Sequence, residues 1–361
     1  MLGYDRVVQH PWHEPQTELR PVRCAFCNRL LFRGAVEKIE IKCPKCASVQ
    51  VLQRNGDGWI SEYSRPQNRV GRFGCVQSRM VTDSAGRLVA IPVRPERVVT
   101  LNSSNLGLYV AAGGKPVGRG TGDMLPGGLK DQFQHIPTVG LPSSPDLDRI
   151  IAMKPDLVIG MAFPAHQSLA GILERKGIPV MLQTFADYAD VLEALRLYGE
   201  LNGKQELAAR KIAAVEKHRH QLIAQTSGRP APRVIIVWAI DGGLYAALST
   251  SFIGDLVKRL GGVNVLDLLS PLAKHQAYAP LDFAAIASVQ PDVILLIDHR
   301  FGELAANHLQ LLQQPQWQGL AAVQQNRVYN LPYSLFAVNP GAQMEAALSV
   351  LAGFLYDSQT D

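Results

Sequence analysis

The chain has no run of about 18 consecutive apolar residues, the length a helix needs to cross a bilayer. Its first residues, MLGYDRVVQHPWHEPQ, do not pass from a charged cluster into an apolar segment, so no secretory leader is read here and the sequence as written is expected in the cytoplasm. Catalytic signatures are missing too. There is no Gly-x-Ser-x-Gly elbow, no Gly-x-x-x-x-Gly-Lys-[Ser/Thr] phosphate loop and no Gly-x-Gly-x-x-Gly opening a helix. Gly118-Arg119-Gly120-Thr121-Gly122 is glycine-rich, but Asp123, Met124 and Pro126 follow where a helix would have to begin. Disorder and fibre are excluded by a composition that is 47% hydrophobic and 19% charged. Cysteine is scarce, with five in 361 residues. Their placement is informative.

Four of the five form two Cys-x-x-Cys pairs, Cys24/Cys27 and Cys43/Cys46, while Cys75 stands alone. Two such pairs bring four thiolates together on two tight turns, the donor set of tetrahedral zinc at about 2.3 Å. A rubredoxin-like iron site is the alternative, and disulfides are disfavoured in a reducing compartment. Leu30-Leu31-Phe32, Ile39-Glu40-Ile41 and Ser48–Leu52 read as short strands. So small a unit draws most of its folding energy from the metal. The first 90 residues carry 14 Lys and Arg against 8 Asp and Glu, whereas the rest is nearly balanced at 22 against 23. That excess points to an anionic partner, or to a solvated surface.

Residues 23–52, with both knuckles and Asn28-Arg29-Leu30-Leu31 between them, resemble the Com-type zinc finger of Mu-like phages. The resemblance implies nucleic-acid contact through residues 23–45, with Arg23, Arg29, Arg33, Lys38, Lys42 and Lys45 available to phosphates. A protein-docking or purely structural ribbon remains open. Residues 1–65 are thus expected to be a zinc ribbon with an N-terminal extension, and 66–90 a linker with a lead-in hairpin around Asp83–Arg87.

From residue 91 the chain reads as α/β: two Rossmann-like lobes, 91–203 and 227–361, joined by one long helix over 204–226. That helix has no Pro and no internal Gly, is rich in strong helix formers, and puts Ala208, Ile212, Val215 and Leu222 on one stripe. At 1.5 Å per residue it would be ~35 Å long. On each side, short apolar runs alternate with helical segments, which predicts parallel sheets buried on both faces. Strands are expected at 97–101, 116–118, 156–160, 179–182, 233–238, 243–247, 292–297 and 327–331. Helices are expected at 106–112, 147–153, 167–176, 188–201, 253–260, 283–289, 305–312 and 342–356. An internal echo ties the halves: residues 150–159 match 286–295 at an offset of 136, each with Pro-Asp between a helix and an apolar strand. Two lobes held apart by a rod would leave a cleft lined by their strand ends.

The order of Val81–Arg87, Ile91-Pro92, Arg97-Val98-Val99, Lys115–Gly118, Lys154–Val158, Phe252–Asp255, Gly261–Asn264 and Asn326–Tyr329 resembles the substrate-binding proteins of ABC importers, in the class with one long helix between lobes. That family takes ferric siderophores, haem and cobalamin. The resemblance implies a binding protein for a metal chelate and a partnership with ABC transporter components. It departs from the family in having a zinc ribbon and no export signal.

Candidate ligand contacts are Asn102, Ser103, Ser104, Met124, Met161, Phe163 and His166 in the first lobe. In the second they are Trp238, Tyr245, His275, Tyr278, His299, Arg300, Tyr333 and Phe336. Aromatic faces with a few amides and cations suit a flat, partly anionic chelate, and Arg300 suits a carboxylate. Against this, Met161, Phe163 and Trp238 serve equally well as core, and Ser103-Ser104 as a helix cap. Three functions are carried forward: chelate capture without chemistry, a ligand-sensing regulator acting through the ribbon, and, last, a chelatase-like enzyme.

Overall fold

The computed structural model describes residues 21–23, 30–33, 38–42, 49–55, 58–64, 77–121, 132–240, 243–268, 276–298, 314–336 and 339–356, the first five segments by their backbone. Met1–Met80 form one compact unit and Val81–Asp361 another.

The first unit is all β where it is described. Strand β1 (Pro21–Arg23) pairs antiparallel with β2 (Leu30–Arg33). Strands β3 (Lys38–Lys42), β4 (Val49–Asn55) and β5 (Gly58–Ser64) form an antiparallel meander, continued by pairing of β5 with 78–80, the start of β6 (Ser78–Thr82).

The second unit opens with β7 (Leu88–Pro92) and then builds two sheets. The first contains β8 (Val98–Thr100), β9 (Gly118–Arg119), β12 (Leu157–Gly160) and β13 (Val180–Leu182) in the order β13-β12-β8-β9, all parallel. A two-residue ladder, β10 (Gly140–Leu141) with β11 (Ser144–Pro145), follows a parallel bridge between Thr138 and Arg119 of β9. Its helices are α1 (Ser103–Ala111), α2 (Leu147–Ala152), α3 (Pro164–Arg175) and α4 (Tyr188–Leu201).

The linking helix α5 spans Gln205–Gln225, so the rod is present as read. The second sheet contains β14 (Arg233–Ile240), β15 (Gly243–Ala247), β16 (Val263–Asn264), β17 (Tyr278–Pro280), β18 (Val293–Asp298) and β19 (Val328–Asn330), in the order β17-β15-β14-β18-β19 with β16 beside the start of β14. Around it lie α6 (Phe252–Arg259), α7 (Phe283–Val289), α8 (Pro315–Gln318), α9 (Ala321–Gln324), α10 (Tyr333–Phe336) and α11 (Met344–Tyr356). The helix expected at 305–312 lies outside the described residues.

Two expectations are corrected. The second sheet is mixed, because β15 runs antiparallel to β14 and to β17. Only residues 241 and 242 separate β14 from β15, and two residues permit a hairpin but not a crossover. Nor are the lobes merely held apart by a rod. Strand alternation gives each sheet two apolar faces, and one face of each joins a common core. Leu157, Ile159 and Met181 of the first sheet, Val215 of α5, and Val234, Ile236 and Leu295 of the second belong to one cluster. The opposite faces have separate cores, around Val99, Val158 and Val180 in the first lobe and Ile235, Val237 and Ile294 in the second. On α5, Ala208 and Val215 are buried while Ile212 and Leu222 pack against the common core, the stripe read from spacing.

The internal echo proves to be a repeated clamp. Asp156 accepts the Glu96 and Arg97 N–H groups at 2.7 and 3.0 Å, and Arg97 donates to the Met153 and Lys154 carbonyls that end α2. At the same offset of 136, Asp292 accepts the Arg233 N–H at 2.8 Å and Arg233 donates to the Val289 carbonyl at 2.6 Å. The residues before the two prolines, Lys154 and Gln290, both take left-handed φ values of 47° and 43°. Each clamp joins a helix end to two strand starts. Asp156→Ala and Asp292→Ala should each cost about 1–2 kcal/mol, from lost hydrogen bonds to a charged group. Urea midpoints of the two variants check this, and a loss in one lobe only would break the equivalence.

Candidate binding site at the strand ends

In the first unit the cysteine pairs lie in matching connections. Arg23 pairs with Leu30 and Lys42 with Val49, so each hairpin is closed by residues 24–29 or 43–48, with Cys at the first and fourth of those positions. Cys24, Cys27, Cys43 and Cys46 themselves lie outside the described residues. Two like connections bearing two thiols each are the donor set and topology that a four-cysteine zinc ribbon requires.

In the second unit Asn102, Ser103, Ser104, Met161 and Phe163 follow the carboxyl ends of parallel strands, and Trp238 lies near the end of β14. In the first lobe these ends are tied by Asn105, fully buried on α1. Its Nδ2 donates to Asn102 Oδ1, the Gly160 carbonyl and the Gln183 carbonyl at 2.8, 3.1 and 2.9 Å, while its Oδ1 accepts the Tyr198 hydroxyl at 2.6 Å. The loops after β8, β12 and β13 are therefore pinned to one amide. Asn102 is the N-cap residue of α1, yet its side chain makes no cap bond, being committed to Asn105. Ser103 and Ser104 lie inside the helix and do not cap it. Ser104 is buried where Gly341, at φ +53°, comes in from the second lobe, and a Cβ on Gly341 would be 3.3 Å from the Ser104 carbonyl.

The loop after β12 carries Met161 and Phe163, both partly exposed. Met161 N–H donates to His166 Nδ1 at 2.9 Å, and Ala162 N–H donates to Thr184 Oγ1 at 2.8 Å. Phe163, the N-cap residue of α3, lays its ring 4.2 Å from that of His166. His166 has no exposed surface, and Nδ1 is occupied as an acceptor. Burial lowers its pKa to about 4, with the Pro142 and Met161 backbones pulling the other way. A neutral imidazole below the surface props the loop up.

The second lobe brings three candidates together. Trp238 lies directly opposite Tyr245 across the β14–β15 pair, and its ring meets that of Tyr278 edge-on at 4.9 Å. Tyr245 and Tyr278 are among the exposed large side chains, at 39% and 40%. Partial burial pushes the Tyr278 pKa up to about 12, so its phenol stays protonated at neutral pH. Trp238 Nε1 has no hydrogen-bond partner. This is an aromatic surface with polar edges at the end of β14. Tyr333 is partly buried on α10, whereas Phe336 is buried in the common core. Met124, His275, His299 and Arg300 lie outside the described residues.

Reading the sequence missed the loop after β13, where Gln183 and Thr184 join the same set of strand ends. The signal was available, since the expected strands 97–101, 116–118, 156–160, 292–297 and 327–331 each contributed residues that follow them.

Because the His166 pKa is lower folded than unfolded, stability is full above about 6.5 and is lost as pH falls toward about 4. His166→Asn, which keeps an acceptor for Met161 N–H, should flatten that slope between pH 6.5 and 4. Urea midpoints across this range check it, and an unchanged slope would remove His166 as the cause.

A family model described as periplasmic binding protein matches residues 98–335, and one described as Mu-like prophage protein Com matches residues 18–57. The high-affinity heme uptake system protein IsdE of Staphylococcus aureus strain MRSA252 is 24% identical over 294 residues, covering 77% of this chain and 91% of its own. Among solved structures, S. aureus IsdE complexed with heme has a TM-score of 0.61 at 20% identity, covering 73% of this chain and 100% of that one. FeuA from Bacillus subtilis complexed with ferri-bacillibactin has a TM-score of 0.64 at 16% identity, covering 76% and 97%. These structural likenesses establish the fold, and the first family model covers more than half of the sequence. The chain belongs to the periplasmic binding protein family.

Proposed function

We propose that the chain captures a metal chelate (a ferric siderophore, haem or a corrinoid) at the strand ends of its two lobes, without chemistry on it. The observation that carries this reading is the aromatic cluster of Trp238, Tyr245 and Tyr278, in which two exposed tyrosines flank a partly buried tryptophan near the end of β14, where ligands of open α/β sheets bind. Relatives named for heme uptake and for complexes with heme or ferri-bacillibactin support the ligand class. In this reading 91–203 and 227–361 are the two lobes, 204–226 joins them, 66–90 leads in, and ABC transporter components are the partners. The ribbon of residues 1–65 holds one structural Zn2+ on Cys24, Cys27, Cys43 and Cys46. No helix among the described residues is long and apolar enough to cross a membrane.

A second reading rests on charge. The basic excess of the first 90 residues favours an anionic partner for the ribbon, and a ligand-sensing regulator that binds RNA or DNA would use it so.

Titration with haem, a ferric catecholate siderophore and cobalamin, followed by thermal shift and absorbance, tests the first reading. A ligand at 100 times its Kd should stabilise the protein by about 2.7 kcal/mol. Tyr245→Ala and Tyr278→Ala should each weaken binding about tenfold, with the free protein's melting temperature unchanged for Tyr245→Ala and slightly lowered for Tyr278→Ala, which also loses the edge contact with Trp238. Failure of all three ligands sinks the reading. Metal analysis should give one zinc per chain, lost in the Cys24→Ser/Cys27→Ser variant without change in chelate affinity. RNA or DNA retarded by the zinc-loaded protein, and released by that variant, would favour the regulator.

A further inference from the structure

Tyr188 is the first residue of α4 and is almost fully buried at the meeting point of three helices. Its backbone N–H donates to Asp255 Oδ2 on α6 at 3.0 Å, and its hydroxyl donates to Glu216 Oε1 on α5 at 3.0 Å. Two guanidinium groups approach the ring, Arg259 of α6 at 4.9 Å from its centroid and Arg219 of α5 at 5.9 Å. Each cation is held by one of the same carboxylates: Arg259 Nε donates to Asp255 Oδ2 at 2.6 Å, and an Arg219 terminal nitrogen to Glu216 Oε2 at 3.0 Å. Two carboxylates and two cations thus close a neutral ring of contacts around one aromatic side chain.

The elements joined belong to the first lobe, the linking helix and the second lobe. The second-lobe anchor is rigidly seated. Ser251 caps α6 by accepting the Gly254 N–H at 3.1 Å while donating to the Leu248 carbonyl at 2.6 Å. A Cβ on Gly254 would come within 2.0 Å of that same carbonyl. Asp255, the next residue, is therefore aimed across the lobe boundary by a helix start with no room to shift. Bifurcated use of Asp255 Oδ2 makes the Tyr188 N–H bond and the Arg259 pair succeed or fail together.

We propose that Tyr188 is a positioning residue: clasped by Asp255, Arg259, Glu216 and Arg219, it fixes the angle between the two sheets and hence the placement of their strand-end loops. The consequence for capture rests on the chelate-binding reading, whereas the fixed angle does not. A ligand then meets strand ends already in register, and loosening the clasp raises Kd by lowering the fraction of chains in the competent arrangement.

Hydrogen exchange on the full ligand-free chain separates this from a local packing role. The lobes also meet where α1 faces Gly341–Gln343, with Ser104 and Gly107 against Gly341 and Ala342. In Asp255→Asn and in Arg259→Met, amides at 103–107 and 341–343 should exchange about tenfold faster, while interior amides of β12 and β18 keep their rates. Tyr188→Phe, which loses the hydroxyl contacts with Glu216 and Arg219 but keeps the backbone bond to Asp255, should give a smaller change in the same places. Changes confined to residues 187–190 and 253–259 would overturn the proposal. So would a uniform acceleration that includes β12 and β18, which reports lost global stability. A parallel haem titration should show a higher Kd in both α6 variants. If haem fails to bind even the unaltered chain, the ligand reading falls while the exchange result stands.

Discussion

A single buried amide organises the first lobe. Two Asn105 hydrogens serve three acceptors, so one hydrogen is shared, and the Tyr198 hydroxyl completes the carbonyl side. In an interior of low dielectric such a network is strong only if every member is satisfied, and costly if one is missing. Three strand ends are thereby held at fixed separation by a residue that touches no solvent. The strand-end loops that carry the candidate contacts rise from that fixed base.

Many residues that carried the family resemblance act in this structural way. Asp83 accepts the Ala85, Arg87 and Leu182 N–H groups and pairs with Arg87, which reaches on to Glu174 and the Val180 carbonyl. The lead-in turn is thus fastened to the edge of the first sheet. Asn264 donates to the Ala247 carbonyl and accepts the Leu266 N–H, tying β16 to the end of β15. Gly261, at φ +87°, supplies the left-handed turn before it. The order of these motifs identifies the architecture because the architecture needs them.

The fold was legible where local signals agreed. Tyr188–Leu201, Gly243–Ala247 and Phe283–Val289 have the bounds read from pattern alone, and the linking helix differs by one residue at each end. Strand direction was not legible for Gly243–Ala247, since apolar periodicity carries no polarity and the deciding fact was the length of the preceding connection. Tyr278–Pro280 escaped because three residues ending in Pro make a poor strand signal. Of the candidate site, the structure gathers Trp238, Tyr245 and Tyr278 into one cluster with the two tyrosines exposed. His166 lies buried, and nothing in its sequence neighbours distinguishes a buried histidine from a surface one. The Arg97 and Arg233 clamps were hidden as well, their partners lying 59 residues away in each case.

The common core has a consequence for how this protein can be divided. Its apolar cluster draws on both sheets and on Val215 between them, so neither half owns a complete interior. A fragment ending within the linking helix would lose the seat of α1 against Gly341 and Ala342 and the Tyr188 N–H bond to Asp255, and would uncover part of the shared apolar cluster. Exchanging one lobe between relatives would therefore have to rebuild that seam from both sides.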